Sequence, residues 1–338
     1  MVSRSSTERH TRFGGNSVTV AVAGAALVLA GCTGSGGGGG GGASEKSFTV
    51  AVTEPDFTAV PILAALDTMR GNGYDIKQVE LAEPELAIEG LAKGEYAISA
   101  EATSPALIAN QQGAPIKVIA DVVANQWAFY GQEGIKTCDD LVGKPVGIFS
   151  EGAVATAMVR DWVKKNCTKG EPEYLVIGGS DVRAQALQQG EIAATALEIA
   201  DVATLAGQGN PVAPPIVDFS KEMGDVHPQT VYANSEFLTD NSAAAQEFVD
   251  ALAAEHAKIN ENPAYLVELV QKYLPESADE SLKQTADEFV QKRLFDATAL
   301  DTENMQKTID FFVEAGVIKE GLTAADAADL SFSDKAKD

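Results

Sequence analysis

The sequence predicts an α/β protein with two successive sheets, each mostly parallel and covered by helices. Short apolar runs alternate with amphipathic segments from about residue 48 onward, and this alternation starts again after Cys138. The last third of the chain carries apolar residues only at helical spacing. A chain of 338 residues that is 45% hydrophobic has enough apolar material for a full-size core, so global disorder and a small disulfide scaffold are excluded.

The first half of the chain predicts four strands separated by three helices. Apolar or alternating runs mark the strands, and glycines such as Gly94 and Gly113 mark helix ends. The expected strands are 48–52, 76–81, 96–100 and 117–123, and the expected helices are 61–71, 84–93 and 104–113. This alternating order is typical of a parallel sheet covered by helices.

The second half repeats the plan and then becomes helical. Strands are expected over 145–149, 174–178, 192–197 and 214–219, with helices over 153–166 and 181–189. Helix starts follow in the last third at Ser242, at Asn262-Pro263 and at Thr302, because these residue types favour helix caps and first turns. His256 lies near the apolar stripe of the first of these helices, which indicates a boundary residue and not a ligand.

The amino terminus has the pattern of an export signal. Arg4, Arg9 and Arg12 precede the uncharged run 18–30, which is too short to cross a bilayer as a helix. We therefore expect residues 1–31 to be a signal peptide. No other apolar run reaches spanning length, so the remainder is expected outside the cytoplasm.

The end of this signal, Leu29-Ala30-Gly31-Cys32, resembles the lipobox of bacterial lipoproteins. In that class Cys32 would carry acyl chains, palmitate among them, and anchor the protein to the cell membrane. An ordinary signal peptide with a chance cysteine nearby is the alternative. Residues 32–46 include seven consecutive glycines, Gly36–Gly42, which predict a flexible tether and favour the lipoprotein.

Two cysteines follow the tether, Cys138 and Cys167, and an even pair in an exported protein predicts a disulfide. No metal site is expected, because CxxC is absent and neither His227 nor His256 lies near a cysteine in sequence. The net charge of −24 argues against a protein that binds nucleic acid through its own charge.

Catalytic motifs are absent from the sequence. There is no GxSxG, Walker loop or HExxH, and the Gly-rich stretch 34–42 precedes the first strand, so it belongs to no βαβ phosphate loop. We expect no catalytic residue, no cofactor and no enzymatic activity.

Four stretches, taken in order, resemble the substrate-binding proteins of ABC importers. They are "LAIEGLAKGEYAISAEATSPALIANQQGAPIKVIAD" (86–121), "IKTCDDLVGKPVGIFSEG" (135–152), "ALQQGEIAATALEIAD" (186–201) and the lipobox. The likeness is to the nitrate/sulfonate/taurine and thiamine-precursor-binding branch of the type II periplasmic-binding fold. The chain departs from this branch at Tyr96 and Ala97, where an acidic residue is usual, and at Ala193 after Glu191-Ile192. Both departures lie near strand starts, away from the expected site.

The resemblance implies a two-lobed clamshell that closes around a ligand by hinge bending. The first lobe would hold residues 47–128 and 232–338, and the second would hold 134–228. The hinge would lie near 127–134 and 227–234. The resemblance also implies a monomer, a small-molecule ligand and an ABC permease as partner.

Ligands of open α/β sheets lie beyond the carboxyl ends of the strands, against helix N-termini. The candidate residues there are Glu54, Asp56, Phe57, Glu101, Thr103, Ser104 and Trp127 in the first lobe, and Ser150, Glu151, Thr156 and Glu198 in the second. The serines serve equally well as helix caps, and the two aromatic residues serve equally well as packing.

Four of these candidates are glutamates that follow strands, two in each lobe: Glu54, Glu101, Glu151 and Glu198. They are either solvated loop residues or a convergent acidic site, which would favour a nitrogenous, cationic or pyrimidine-like ligand stacked on an aromatic ring. Arg183 is the one basic candidate near the rim, and a sulfonate- or nitrate-like ligand is the alternative. Two alternative functions remain open. The chain could be a ligand-sensing lipoprotein without a transporter, or a biosynthetic enzyme on the same fold.

Overall fold

The computed structural model describes residues 46–53, 55–81, 84–277 and 281–337, all of which belong to one compact unit. The expected signal peptide, the lipidated Cys32, nearly all of the tether and the candidate Glu54 lie outside the described residues.

Five strands form the first sheet, in the order β2-β1-β3-β10-β4. Their bounds are β1 Ser47–Thr53, β2 Asp75–Leu81, β3 Ile98–Ala102, β4 Ile116–Val123 and β10 Gln229–Asn234. Strand β1 pairs in parallel with β2 and β3, whereas β10 pairs antiparallel with both β3 and β4. Four strands therefore run in one direction, and β10 runs against them.

The second sheet has the same plan, in the order β7-β6-β8-β5-β9. Its strands are β5 Ala128–Gly131, β6 Pro145–Ile148, β7 Glu173–Val176, β8 Ala194–Leu197 and β9 Val217–Asp218. Strand β6 pairs in parallel with β7 and β8, and β5 pairs antiparallel with β8 and β9. The predicted α/β class with two mostly parallel sheets is confirmed.

Fourteen α-helices surround the two sheets in the described part of the chain. They are α1 Val60–Gly71, α2 Pro84–Ala92, α3 Thr103–Gln111, α4 Val154–Asn166, α5 Ser180–Gln188, α6 Ile199–Gly207, α7 Phe219–Glu222, α8 Ser235–Asp240, α9 Ser242–Glu261, α10 Pro263–Tyr273, α11 Leu282–Gln291, α12 Thr302–Glu314, α13 Ala324–Ala327 and α14 Ser331–Lys335. Short 3-10 turns occupy Cys138–Leu141 and Pro275–Ser277. Within the described residues, none of these helices combines the length and the apolar character that crossing a membrane would require.

Strands β5 and β10 were not expected from the sequence, and they show where the chain changes sheets. The chain leaves the first sheet after Val123 and enters the second at Ala128, and it returns between Asp218 and Gln229. Half of the expected crossing 127–134 is therefore strand β5 of the second sheet. The two sheets mark the two lobes of this fold, whereas the residue bounds of the lobes and a hinge at these crossings stay predictions.

Apolar packing runs through both crossings. One cluster of buried residues packs α1, α9, α10 and α11 against the first sheet, and it includes Phe248 and Phe289. A second cluster joins Phe312 of α12 to Phe129 of β5 and Trp162 of α4. His256 lies inside the first lobe and is only 1% exposed, so its interpretation as a boundary residue is wrong.

The predicted disulfide is confirmed: Cys138 and Cys167 are bonded, with their Cα atoms 4.9 Å apart. It ties the 3-10 turn before β6 to the end of α4, and Asp139 accepts hydrogen bonds from the backbone and hydroxyl of Thr168 beside it. Closing a loop of 29 residues contributes about 3 kcal/mol in the chain-entropy account of disulfide stability.

Candidate functional site

The two sheets bring polar side chains together at the carboxyl ends of their strands. Strand β1 ends at Thr53 and β3 carries Glu101 one residue before its end, while Glu198 follows directly after β8. Ile199, the next residue, is buried in the apolar cluster of the first lobe. Glu198 of the second lobe therefore lies directly against the first lobe.

Glu198 is the carboxylate at which charges from both lobes meet. It is 9% exposed and is the N-cap residue, directly before helix α6. Burial, together with the negative charges of Asp56 and Asp201, raises the pKa of Glu198 well above its ordinary range, and Glu101 adds to this effect. Arg183 acts in the opposite direction without cancelling it.

Asp201 holds Glu198 in place. Its Oδ2 atom accepts hydrogen bonds from the backbone N–H of Glu198, at 3.1 Å, and from the hydroxyl of Ser180. Burial raises the pKa of Asp201, and these two hydrogen bonds and Arg183 partly offset that effect. Asp201 is thus a positioning residue, since its Oδ2 atom is already used in binding the protein's own groups.

Asp56 combines a structural and an electrostatic role. Its Oδ1 atom accepts hydrogen bonds from the backbone and hydroxyl of Thr58, at 2.8 and 2.7 Å, and from the backbone N–H of Ala59. These contacts form the turn that leads into α1. Asp56 is an exposed residue, and desolvation of its carboxyl by the surrounding protein raises its pKa despite the three hydrogen bonds.

Arg183 lies beneath the carboxylates and is 2% exposed, so it does not point to solvent as a rim residue would. Its guanidinium donates hydrogen bonds to the Thr195 hydroxyl at 3.1 Å and to the carbonyls of Ala196, at 3.2 Å, and Gly178. Burial lowers the pKa of Arg183, and the charges of Asp201 and Glu198 oppose this. The cation is therefore engaged by strand β8 and by the turn before α5.

Trp127 stands beside this group. Strand β5 pairs Ala128 with Leu197, so Trp127 and Glu198 flank the same register position. The guanidinium of Arg183 lies 6.0 Å from the centroid of the indole ring, at the outer limit of a cation–π contact. The structure thus brings together Asp56, Glu101, Trp127 and Glu198 from the predicted set.

Three further predicted residues are buried: Thr103, Ser104 and Thr156. The Ser104 hydroxyl, just after β3 of the first sheet, donates a hydrogen bond to the carbonyl of Gly152, which follows β6 of the second sheet, at 3.0 Å. Thr103 is buried and donates to the carbonyl of His227, at 2.8 Å. The Thr156 hydroxyl, one turn into α4, is buried and has no hydrogen-bond partner in the described part of the chain.

The remaining predicted residues contact other partners. Glu151 is exposed and forms an ion pair with Arg160 at 2.7 Å. Phe57 packs on Phe289 of α11, with ring centroids 4.7 Å apart. Ser150 is half-buried, and its carbonyl accepts a hydrogen bond from the backbone N–H of Ala153. Each of the three is thus engaged by its own neighbours.

Sequence reasoning gave too little weight to three buried polar residues near the same strand ends. In the described part of the chain, both amide atoms of Gln126 lack a hydrogen-bond partner, as do the hydroxyl of Thr53 and Oε1 of Gln229. Leaving such groups unpaired in a dry interior is unfavourable, so they are candidates for contact with a ligand. The signal for Gln126 was its position after β4, next to Trp127.

No three His, Cys, Asp or Glu side chains are placed to hold a metal ion within residues 46–53, 55–81, 84–277 and 281–337. The arrangement suits the binding of a small polar molecule: it offers carboxylates, an aromatic ring and unpaired amide and hydroxyl groups between two lobes.

Comparison with known proteins identifies the family. The sequence profile of the family described as NMT1/THI5 like matches residues 69–265, which is more than half of the chain. The chain belongs to the NMT1/THI5-like family. No curated protein matches this NMT1/THI5-like chain in sequence.

Solved structures with the same fold are distant in sequence. The ligand-binding component of an ABC-type import system from Staphylococcus aureus, solved with zinc bound, is 14% identical and has a TM-score of 0.70, covering 86% of this chain and 99% of its own. The aliphatic sulphonate-binding protein SsuA from Escherichia coli is 18% identical, with a TM-score of 0.66 and coverages of 84% and 92%. The nitrate-binding protein NrtA from Synechocystis is 11% identical, with a TM-score of 0.64 and coverages of 86% and 85%. These likenesses confirm the type II periplasmic-binding fold of this NMT1/THI5-like chain.

Proposed function

We propose that this protein is the substrate-binding component of an ABC importer that captures a small nitrogenous cation between its two lobes outside the cytoplasm. The proposal assigns it a permease as partner and a lipid anchor at Cys32. Family membership and the fold shared with binding proteins of import systems support the transport role. These neighbours are binding proteins, which favours capture of a ligand without turnover.

The observation that carries the choice of a cation is the position of Glu198. Its carboxylate is buried against the first lobe and lies in the field of Asp56, Asp201 and Glu101. Carboxylates that converge repel one another unless a proton or a cation joins them. A ligand N–H⁺ group placed there would relieve the repulsion and would hold groups from both lobes at once, which couples binding to closure.

An anionic ligand is the second candidate, because SsuA and NrtA are described as binding sulphonate and nitrate. Arg183 is the one cation near Glu198 that the described residues provide, and its guanidinium already donates to two carbonyls and a hydroxyl. A buried arginine engaged in this way has few donors left for a sulfonate. The surrounding carboxylates would also repel an anion.

The indole of Trp127 favours a ligand with a flat or cationic group. The ring lies beside Glu198 in the register of β5 and β8, so a ligand nitrogen bound by the carboxylate would lie close to an aromatic face. Stacking of a cation on tryptophan contributes about 0.5–2 kcal/mol. An amine, an amidine or an aminopyrimidine meets both requirements.

We expect Glu198→Gln to weaken the binding of a nitrogenous cation about fivefold. A charge-assisted hydrogen bond contributes about 1.5–3 kcal/mol, and its neutral replacement contributes about 1 kcal/mol less. The experiment screens the purified protein by thermal shift against alkylamines, benzamidine, 4-aminopyrimidine, alkanesulfonates and nitrate, and then measures affinities by calorimetry. Glu151→Gln is the matched control, because that carboxylate is 67% exposed and paired with Arg160.

Ligand affinity should also change with pH in a defined direction. The raised pKa of Glu198 means that its carboxyl stays protonated to a higher pH than usual. Affinity for a permanently charged ammonium ligand should therefore rise with pH until Glu198 has lost its proton, and Glu198→Gln should remove that rise. Binding of sulfonate or nitrate that Glu198→Gln strengthens would refute the cationic ligand.

Anchoring through Cys32 has its own test. Cys32→Ala should move the protein from the membrane fraction to the soluble extracytoplasmic fraction, because a lipidated cysteine is the one anchor that the proposal assigns. Fractionation followed by mass spectrometry of the mature amino terminus measures the change, and Cys138→Ala serves as a control that alters a cysteine without altering the lipobox. Retention of unchanged, processed Cys32→Ala protein in the membrane would contradict the anchor.

A sensor without a transporter is separated from an importer by uptake. Cells that lack this protein should lose uptake of the ligand found in the screen, and the wild-type gene should restore it. Normal uptake in the deletion strain would favour the sensor.

A further inference from the structure

An open cavity of about 400 Å³ lies against the outer part of the first sheet. It is bounded by α1, by the end of α10 and by β2, which is the outermost strand of that sheet. Leu63 and Leu274 give it apolar lining, and polar side chains line much of the remainder. Among the described residues that line it, none belongs to the group around Glu198. A concave space of this size, with apolar lining and a few polar groups, is suited to a small molecule.

The positive charges of the cavity come from two helices. Leu63, Asp67 and Arg70 follow one another at helical spacing, so they lie along one face of α1. Lys272 joins them from the last turn of α10. Asp67 accepts hydrogen bonds from Arg70 at 2.9 Å and from Lys272 at 2.7 Å, and the Tyr273 hydroxyl donates to it at 2.7 Å. Two cations thus share one carboxylate, which leaves one positive charge unbalanced.

Both cations keep donors that a ligand can use. An ammonium group has three N–H donors, and Lys272 uses two of them on Asp67 and on the Tyr273 hydroxyl. A guanidinium group has five, and Arg70 uses one on Asp67 and two in long contacts of 3.4 Å with the carbonyl of Ile76. The side chains of Lys272 and Arg70 are 57% and 33% exposed, so a ligand can reach them.

A further negative charge comes from β2. Gln78 and Glu80 are two residues apart on this strand, so their side chains leave the same face as Ile76. Ile76 is buried in one apolar cluster with Leu63, which turns this face toward α1. Glu80 is exposed, and among the described residues its one side-chain hydrogen bond is a long contact of 3.4 Å with the Gln78 amide. Its carboxylate is therefore available to a ligand N–H⁺ group.

We propose that this cavity is a second ligand site, which binds a small zwitterion. Arg70 and Lys272 hold the carboxylate of the zwitterion, and Glu80 holds its ammonium group. The carbon chain between the two charges rests on Leu63 and Leu274. The site is separate from the cleft and adds a second ligand to the cation proposed above.

The balance of charge decides the class of ligand. The cavity has two positive side chains, Arg70 and Lys272, and two negative ones, Asp67 and Glu80. A ligand with a positive charge alone would be repelled by the two cations, and a ligand with a negative charge alone would be repelled by Glu80. A neutral molecule with separated charges of both signs meets a partner of opposite sign at each end.

The test measures binding by calorimetry for ω-amino acids from glycine to 6-aminohexanoate, a series in which the distance between the two charges increases. The n-alkanoates of the same chain lengths lack the ammonium group and are measured in parallel. We expect the best-fitting ω-amino acid to bind at least about tenfold more tightly than the matching alkanoate. Equal affinities in the two series, or no binding of any ω-amino acid, would overturn the zwitterion site.

Two variants examine the two ends of the site. Lys272→Met should weaken binding of the best-fitting ω-amino acid about tenfold, and Glu80→Gln should weaken it about fivefold, because the neutral amide keeps a weaker hydrogen bond. Lys258→Met is the matched control. Lys258 is 54% exposed, pairs with Glu255 at 2.8 Å and lies 5.9 Å from the ring centroid of Tyr265, but it does not line the cavity. An equal loss of affinity in Lys258→Met would reveal a general effect of charge and would overturn the site.

Glu198→Gln separates this site from the cleft. The separation needs a test because Pro55, which lines the cavity, directly precedes Asp56. Glu198→Gln should weaken binding of n-butylammonium about fivefold and leave the ω-amino acid unaffected, whereas Lys272→Met should do the reverse. Weaker ω-amino acid binding in Glu198→Gln, with no change in Lys272→Met, would place the zwitterion in the cleft and overturn the second site. If n-butylammonium binding is unchanged in Glu198→Gln, the proposed cation site fails and the second site stands.

Discussion

Replacing Arg183 with methionine is expected to lower the free energy of unfolding of the ligand-free protein by about 3 kcal/mol or more. The guanidinium is buried and donates to Thr195, Ala196 and Gly178. Its loss leaves buried carbonyls without donors and removes the one positive charge that offsets the repulsion around Glu198. Denaturant unfolding at neutral pH measures the change.

Arg70→Met is the matched control for this variant. Arg70 is half-buried and pairs with Asp67 at 2.9 Å, an arrangement that contributes below about 1 kcal/mol. Arg183→Lys keeps the positive charge but cannot donate to all three acceptors in the same geometry. Its loss of unfolding free energy should lie between those of Arg183→Met and Arg70→Met. If Arg183→Met costs less than the control in stability but abolishes sulfonate binding, Arg183 is a ligand contact and the anionic alternative gains.

The second large effect is an acid sensitivity of folding that arises from His256. The imidazole is buried in the first lobe, with ring centroids 5.1 Å from Phe295, and neither ring nitrogen has a hydrogen-bond partner within the described chain. Burial lowers the pKa of His256 to about 3, and Asp296 only weakly opposes this. The folded protein therefore keeps this residue neutral.

The direction of this pH effect follows from the protonation of His256 in the folded and in the unfolded state. In the unfolded chain an ordinary histidine titrates near pH 6.5, so between about pH 6.5 and about pH 3 the unfolded state binds a proton that the folded state refuses. Below pH 6.5 the free energy of unfolding should fall by about 1.4 kcal/mol for each pH unit, which amounts to about 2–3 kcal/mol at pH 4.5. His256→Leu should remove this part of the slope, as measured by unfolding at several pH values.

His227 provides the internal comparison. Its Nδ1 lies 3.0 Å from Oδ2 of Asp121, and the charges of Asp121, Asp225 and Asp301 outweigh burial and raise its pKa. The stability from this pair is present at acid pH and is lost as pH rises through the folded pKa of His227, which is opposite to His256. A variant of His256 with an unchanged slope between pH 6.5 and pH 4.5 would show that the imidazole protonates inside the fold.

The strands and helices that form local units were predictable from the sequence. The first four strands and their helices were expected nearly where they lie, because burial on both sides of a parallel sheet demands apolar runs and each helix shows its own spacing. Strands β5 and β10 were missed as strands. Strand β10 returns to the first sheet from beyond the second, and β5 pairs with β8 and β9, which lie more than 60 residues further along the chain. A segment of four to six residues carries no sign of so distant a partner.

The site was predictable in position but only in part by residue. Parallel strands end at one edge, so Glu101, Trp127 and Glu198 could be placed near one another from their order alone. Glu151 also follows a strand, three residues after the end of β6, yet it pairs with Arg160 of α4. The unpaired amide of Gln126 could not be recognised, because the absence of a partner is a property of the packed interior.

The sequence by itself determined the order of the elements, the fold class and the pairing of Cys138 with Cys167. The order of elements and the fold class depend on hydrophobic periodicity, and the cysteine pairing depends on the one strand and one helix between the two cysteines. Both are short-range properties of the chain. Only the tertiary structure decided which acidic side chains meet. Asp56 and Glu198 are far apart in sequence and belong to different sheets, and the repulsion between carboxylates depends on distance and burial, which exist only once the two lobes have folded against each other.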